Sequence, residues 1–342
     1  MDPAPADTAR RLPKVVLHDH LDGSLRPATL LELLQARGLP APAADAESLV
    51  AWFDANAHAG SLVKFLEGFA LTVAAMATPE AMERVAFEAA EDARADGALL
   101  AEFRIAPLLF ESHGVPGDAA VQALLAGLKK STLPTGLIVC AMRHLPPEET
   151  ARAAELAVRH MHQGVVAFDL AGAEKGHPPA QHERALAIAR EAGLAITLHA
   201  GEADVAERVV EAGRLGARRI GHGVHLVDAL RDPGRRHLVD EVKAMGLHLE
   251  VCPTSNVHTG AARSVAEHPI TELWQAGVSL SWQTDNRLMS GVTHSDEAAA
   301  LLEHTELGVD DLLQMAVQAA THSFLPHEQR VAAVKAIRAW RP

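Results

Sequence analysis

The chain has 342 residues, with 31 Lys+Arg against 44 Asp+Glu for a formal net charge of −13, and it holds two Cys, twenty His and no Tyr. That acidity excludes nucleic acid and anionic membrane surfaces as expected partners, since either demands a Lys/Arg-rich face, while 48% apolar and 22% charged residues exclude a disordered or fibrous chain. Cys140 and Cys252 are too far apart for a CxxC motif, which removes a disulfide scaffold and a Cys-rich zinc site and leaves a reducing cytoplasm as the expected compartment.

The N-terminal MDPAPADTARR lacks the apolar core of a secretion signal, and no uncharged apolar run reaches the ~18 residues of a membrane span. Short apolar runs then alternate with longer amphipathic ones, the pattern of βα units around a parallel sheet. Strands are predicted at Lys14–His18, Leu99–Ile105, Gly136–Ala141, Val165–Asp169, Ala195–His199, Arg219–Gly223, His248–Cys252 and Val278–Gln283. Between them lie helical stretches at Ala81–Ala95, Gly117–Lys130, Pro147–His162, His182–Ala192, Asp204–Leu215, Arg235–Met245 and Glu267–Ala276. The first gap is the longest and holds extra helices at Leu30–Arg37, Glu47–Ala55 and Ser61–Ala75; Ser295–Glu303, Val309–Thr321 and Pro326–Trp340 follow the last strand.

Eight strand–helix alternations without a linker or repeat predict one domain over residues 1–342, an α/β chain folded as a (β/α)8 TIM barrel with extra helices after strand 1 and at the C-terminus. An open doubly wound sheet is the competing arrangement. No GxGxxG follows a strand and no GxxxxGK[ST] occurs, so nucleotide-cofactor binding has no support.

On that scheme His18 and His20, two apart at the end of strand one, share a face of the strand as two ligands of one metal would. HxH alone also occurs where histidines merely flank a strand end. His199 at the end of strand five, His222 in strand six and Asp285 after strand eight bring five such groups to the C-terminal ends of strands, where barrels keep their chemistry. Three imidazoles and one carboxylate suit Zn²⁺ with one position left for water. His160, His162, His182, His237, His304 and His327 fall in polar helical or loop contexts and read as solvated.

The motifs HDHLDGSL (18–25), DLAGAE (169–174), HAGE (199–202), GHG (221–223), CPTSN (252–256) and TDN (284–286) occur in this order. Their order and spacing resemble the adenosine deaminase family of the amidohydrolase superfamily, over a span from about Pro13 to the C-terminus. The resemblance implies a zinc-bearing barrel, one Zn²⁺ per chain, that hydrolyses the 6-amino group of a purine nucleoside. It further implies that His18, His20, His199 and Asp285 are the zinc ligands, that Glu202 is the proton donor to the purine, and that His222 positions the attacking water. Asp22 would reach the ribose 5′-hydroxyl and the Gly172 N–H would face ring N3. Where many members carry a second Asp against purine N7, this chain has Asn286, whose amide can donate to N7 without being protonated.

Chemistry supports the same roles. Water attack on an aromatic C–N bond at neutral pH needs a strong nucleophile, and Zn²⁺ lowers the pKa of bound water from about 15.7 to about 7. Charge arriving on N1 must be neutralised by an acid beside it, and Glu202, three residues past a ligand, is the candidate; a carboxylate favoured at a helix N-terminus is the plainer reading. Asp285 can hold metal with one oxygen and take a proton with the other, while His222 can hold or shuttle it or be a satisfied interior histidine. Asp22 can alternatively cap the next helix, and Gly221 and Gly223 leave space against the substrate or serve turns. Ser61–Ala75 supplies a lid, with Leu62, Phe65 and Phe69 near the nucleoside, or buries that face in the core.

The substrate reading is adenosine or deoxyadenosine, with adenine and 5′-modified adenosines such as aminodeoxyfutalosine as alternatives, and a non-catalytic nucleoside-binding protein as the competing class. The HxE and PCxxC set of the cytidine-type deaminases is absent. FDLAG stands where a bridging carboxylated Lys would be, so one metal is expected.

Overall fold

Buried on both faces, strands of a parallel sheet can be continuously apolar, and runs such as Thr135–Met142 (TGLIVCAM) form strands for that reason. The computed structural model describes residues 4–57 and 62–341, the side chains of residues 57 and 62–67 excepted. Its strands are β1 (Lys14–His20), β2 (Ala98–Ile105), β3 (Thr135–Met142), β4 (Val165–Ala171), β5 (Ala195–Ala200), β6 (Arg219–His222), β7 (His248–Val251) and β8 (Ser279–Trp282). They lie side by side in sequence order, each parallel to the next.

Between β8 and β1 the ring closes through a single bridge, Asp19 to Asp285. There the His20 N–H donates to the Asp285 carbonyl at 2.8 Å and the Asp285 N–H donates to the His18 carbonyl at 3.0 Å. Just below, the Gln283 amide substitutes for a ladder, accepting from the Leu17 N–H at 2.8 Å and donating to the Val15 carbonyl at 3.2 Å. This is the expected (β/α)8 barrel, and all eight strands begin and end within two residues of the sequence reading.

Helices cover the outside, many starting at a proline that fits the first turn, such as Pro79 behind the Thr78 cap, whose side chain accepts from the Ala81 N–H. Pro27–Ala36, Ala46–Ala57 and Leu62–Met76 fill the long first connection, and His294–His304, Val309–His322 and His327–Ala339 form the tail. Short helices at Leu226–Arg231, Pro253–His258 and Arg287–Ser290 escaped the sequence reading because four to six residues show no helical period.

Two histidines expected to be solvated are buried. The His160 ring lies between Gln163 and Asp118, 2.8 Å from the latter, and His182 meets the Thr150 hydroxyl at 3.0 Å. Each lies on a helix face that looks polar in sequence because its partner lies on another element. Among the described residues no helix is long and apolar enough to cross a membrane.

Candidate functional site

The barrel mouth at the carboxyl ends of the strands gathers His18 and His20 from β1, His199 from β5, His222 from β6 and Asp285 beyond β8. His18 Nε2 and His20 Nε2 lie 3.3 and 3.4 Å from Asp285 Oδ1, and His20 Nε2 lies 3.3 Å from His199 Nε2. Separations of 3.3–3.4 Å are those of two donors each about 2.0–2.1 Å from a shared ion, the ordinary zinc–nitrogen or zinc–oxygen distance, and all four donor atoms lie within 4.8 Å of one another. The donor chemistry points the same way. His18 Nδ1 lies 3.0 Å from Glu250 Oε2 and His199 Nδ1 3.1 Å from Asp169 Oδ1, and since ionised carboxylates only accept, both Nδ1 atoms carry hydrogen and both Nε2 atoms are bare. The bare His18 Nε2 faces Asp285 Oδ1, a pair that repels unless a cation lies between them, and His18 Nε2 is buried without a hydrogen-bond partner. These four residues fit a divalent metal.

The carboxylates that orient the two rings share one cation. Arg104 from β2 donates to Asp169 Oδ2 at 2.8 Å and to Glu250 Oε2 at 2.5 Å, all three side chains being fully buried. Arg219 bridges Glu250 and Glu102 at 2.6 and 2.7 Å. Against the penalty of burial, the Arg104 charge and the hydrogen bond from the His199 ring hold Asp169 below the usual carboxylate range, and the charges of Arg104 and Arg219 hold Glu250 there. Burial, then the Arg104 charge, lowers His18 to about 4, which keeps its imidazole neutral and able to coordinate. Asp285 Oδ2 accepts from the Ser255 hydroxyl at 2.7 Å, so its second oxygen already has one donor.

Glu202 follows β5 in a turn, its Oε2 3.5 Å from His222 Nε2. That turn is fixed by Glu174, three residues beyond the end of β4, whose Oε2 accepts from the N–H groups of Glu202, Ala203 and Asp204 at 3.1, 2.7 and 2.9 Å. His222 and Asp285 are the non-glycine residues with left-handed φ among the described residues, +64° and +63°, an unfavourable conformation that aims both side chains into the mouth.

On the substrate side, Asp22 is buried in the turn Leu21–Gly23 with Oδ1 unpartnered, and burial raises its pKa to about 7. It does not cap the next helix, which has no side-chain cap. Asn286 is buried with Oδ1 unpartnered, and Gly172 follows β4 at φ +91°. The helix carrying Leu62 and Phe65 packs at Gly68 against Met289 and Phe53 beside the mouth, but the side chains of Leu62 and Phe65 lie outside the described residues, while Phe69 is half-buried against the core.

The two glycines around His222 make room for protein rather than substrate. A Cβ on Gly221 would stand 2.8 Å from the His18 ring, and one on Gly223 2.8 Å from Leu249. Cys252, which the sequence reading kept away from any metal, lies close enough to His18 and His222 to form a second donor group. Burial pushes its thiol up, away from the thiolate that would bind.

A family model described as adenosine deaminase matches residues 13–340. An adenosine deaminase from Mycobacterium tuberculosis (strain H37Rv) is 43% identical over 343 residues, covering 96% of this chain and 93% of the relative. The chain belongs to the adenosine deaminase family. It is accordingly an enzyme, a hydrolase of that deaminating family. The fold is shared with adenine deaminase from Arthrobacter aurescens, at TM-score 0.86 and 26% identity over 96% of this chain and 99% of the other. It is shared also with an amidohydrolase from Burkholderia ambifaria solved with bound zinc, at TM-score 0.85 and 24% identity over 99% and 93%.

Within the family motifs and in the strands, sequence reasoning passed over several residues that act on the site. Glu174 closes DLAGAE, Ser255 and Asn256 lie in CPTSN, and Arg104, Asp169 and Glu250 are charges inside apolar strands. An ionised residue within a strand predicted to be buried is a readable signal, because burial demands a partner.

Proposed function

We propose that this chain is a zinc-dependent adenosine deaminase, converting adenosine and deoxyadenosine with water into inosine or deoxyinosine and ammonia. One observation carries the reading: three imidazoles and a carboxylate in metal-binding array, with Glu202 and His222 facing the same mouth. Zinc held by His18, His20, His199 and Asp285 supplies the acidification of water that this chemistry needs at neutral pH.

The chain's own groups do the rest. Glu202 gives a proton to purine N1 as the ring is attacked at C6, and Asp285 takes a proton from the incoming water. His222 holds that water by its ring. Asp22 receives the 5′-hydroxyl, the Gly172 N–H meets N3 and the Asn286 amide donates to N7. Residues 1–342 act as one domain, and the two buried free cysteines suit a reducing cytoplasm.

Adenosine is favoured over adenine because the 43% identical relative is named for the nucleoside, whereas the adenine deaminase is 26% identical. The unpartnered Asp22 oxygen also suits a substrate hydroxyl. The test is to measure bound zinc and then follow the ultraviolet change of adenosine, deoxyadenosine, adenine and 5′-modified adenosines. No turnover of any with zinc present refutes the reading, and turnover of adenine alone moves the substrate to the free base. Glu202→Gln is expected to keep zinc and lose about 10²-fold or more in kcat; near-normal turnover removes Glu202 from the acid role.

A further inference from the structure

Behind His222, away from the mouth, runs a chain of buried polar groups with no assigned part in the chemistry. His222 Nδ1 lies 3.0 Å from Asn256 Nδ2, Asn256 Oδ1 lies 3.2 Å from His268 Nε2, and His268 Nδ1 accepts from the Ile270 N–H at 3.1 Å. All three side chains are buried, at 1%, 0% and 4% exposure, so water does not offer them alternative partners.

Only one group in the chain has a fixed sense. Ile270 opens the helix Ile270–Gln275, and its backbone N–H, one of those a helix cannot satisfy internally, can only donate. His268 Nδ1 must therefore be bare. Burial, with the nearby His222, takes the His268 pKa down to about 3, so the ring is neutral and its one proton is on Nε2, given to Asn256 Oδ1. With its oxygen engaged there, Asn256 turns its NH₂ toward His222 Nδ1, which must accept. The reverse order fails at both ends. It would set the Asn256 NH₂ against the His268 Nε2–H, or require His268 to leave the Ile270 N–H without an acceptor.

We infer that Asn256 and His268 are positioning residues that lock His222 as its Nε2–H tautomer. His222 then meets the reacting water as a hydrogen-bond donor and does not take its proton, which leaves proton acceptance to Asp285. This deepens the proposed reaction and rests on it for the catalytic meaning of the tautomer, though not for the tautomer itself.

The direct experiment is long-range ¹H–¹⁵N correlation on zinc-loaded protein labelled in histidine, with His222 and His268 assigned by their disappearance in His222→Gln and His268→Gln. A bare ring nitrogen resonates far downfield of a protonated one, and the expected pattern for both rings is bare Nδ1 with protonated Nε2. A protonated His222 Nδ1 overturns the inference.

Two near-isosteric variants supply the kinetic arm. Gln at position 268 can accept from Ile270 and donate to Asn256, keeping the sense of the chain; Glu, compared at a pH where its carboxyl is ionised, can only accept, which turns the Asn256 amide over and puts the His222 proton on Nδ1. His268→Gln is expected to keep most of kcat and the wild-type His222 pattern. His268→Glu is expected to keep zinc and a similar KM while kcat falls 10²–10⁴-fold, the range set by a histidine held in the wrong tautomer. Equal kcat in the two variants overturns the inference, and if His268→Glu fails to fold, the wild-type spectrum decides alone. Wild-type protein with the expected spectrum but no deaminase activity would refute the proposed function and leave the tautomer assignment standing.

Discussion

Removing the charge from Glu174 tests whether the acid at position 202 depends on its turn. Three N–H groups at Glu202, Ala203 and Asp204 converge on one oxygen of Glu174 at 2.7–3.1 Å. Glu174→Gln retains a carbonyl oxygen there but makes it neutral. A hydrogen bond to a charged acceptor contributes about 1.5–3 kcal/mol against about 1 kcal/mol for a neutral one, so three bonds would lose about 1.5–6 kcal/mol if they acted independently. Because one oxygen serves all three donors, the effects overlap, and about 2 kcal/mol is the expected net loss. If it appears wholly as misplacement of Glu202, kcat/KM falls about 30-fold, at about 1.4 kcal/mol per decade. The assay is steady-state deamination of adenosine by Glu174→Gln, Glu202→Gln and the double variant, with zinc content measured for each. Since Glu174 is argued to act through Glu202, the double variant is expected to be no slower than Glu202→Gln alone. Wild-type kcat/KM in Glu174→Gln, or fully additive losses in the double variant, refutes the reasoning.

Arg104→Met leaves Asp169 and Glu250 buried without their shared cation, a change expected to destabilise the fold by about 3–5 kcal/mol and to weaken zinc binding 10–100-fold; thermal denaturation and competition with a chelator read the two effects. Glu297 is fully buried with Oε1 on the Thr254 N–H, and burial raises its pKa from 4.5 to about 8. Its folded value lies above its unfolded one, so the unfolded chain ionises first and stability falls as pH rises from about 4.5 to about 8, by on the order of 4–5 kcal/mol. Urea unfolding at pH 5 and pH 8 should show Glu297→Gln gaining on the parent at the higher pH, and an unchanged difference contradicts the burial argument. Gly23→Ala would place a Cβ 2.0 Å from Asn286 Oδ1, and the displaced amide is expected to lower kcat/KM for adenosine at least tenfold with zinc retained.

The barrel was legible in the sequence because a parallel strand is buried on both faces, so runs like TGLIVCAM stand out against amphipathic helices. The metal-binding array was legible for a related reason: once the strands are placed, their ends are placed, and His18, His20, His199 and Asp285 fall there together. What stayed hidden depends on partners distant in sequence. His160 and His182 look solvated until Asp118 and Thr150, 42 and 32 residues away, are brought against them. Glu174 is 28 residues from Glu202, and nothing in their spacing announces three backbone N–H groups converging on one carboxylate. Arg104 shows a different loss of information, because a charge in a strand signals a partner but does not name Asp169 or Glu250.

The single bridge that closes the barrel runs through Asp19 and Asp285, flanked by His18 and His20. A cation shared by those histidines, Asp285 and His199 would therefore staple the first strand to the last and tie both to the opposite wall. It would act as a topological clasp on a cylinder whose other seven joints each pair two or more residues. Chelation should then do more than stop chemistry: the amides of His20 and Asp285 are expected to be among the first strand amides to exchange with solvent as metal leaves, with the seam opening before the rest of the wall.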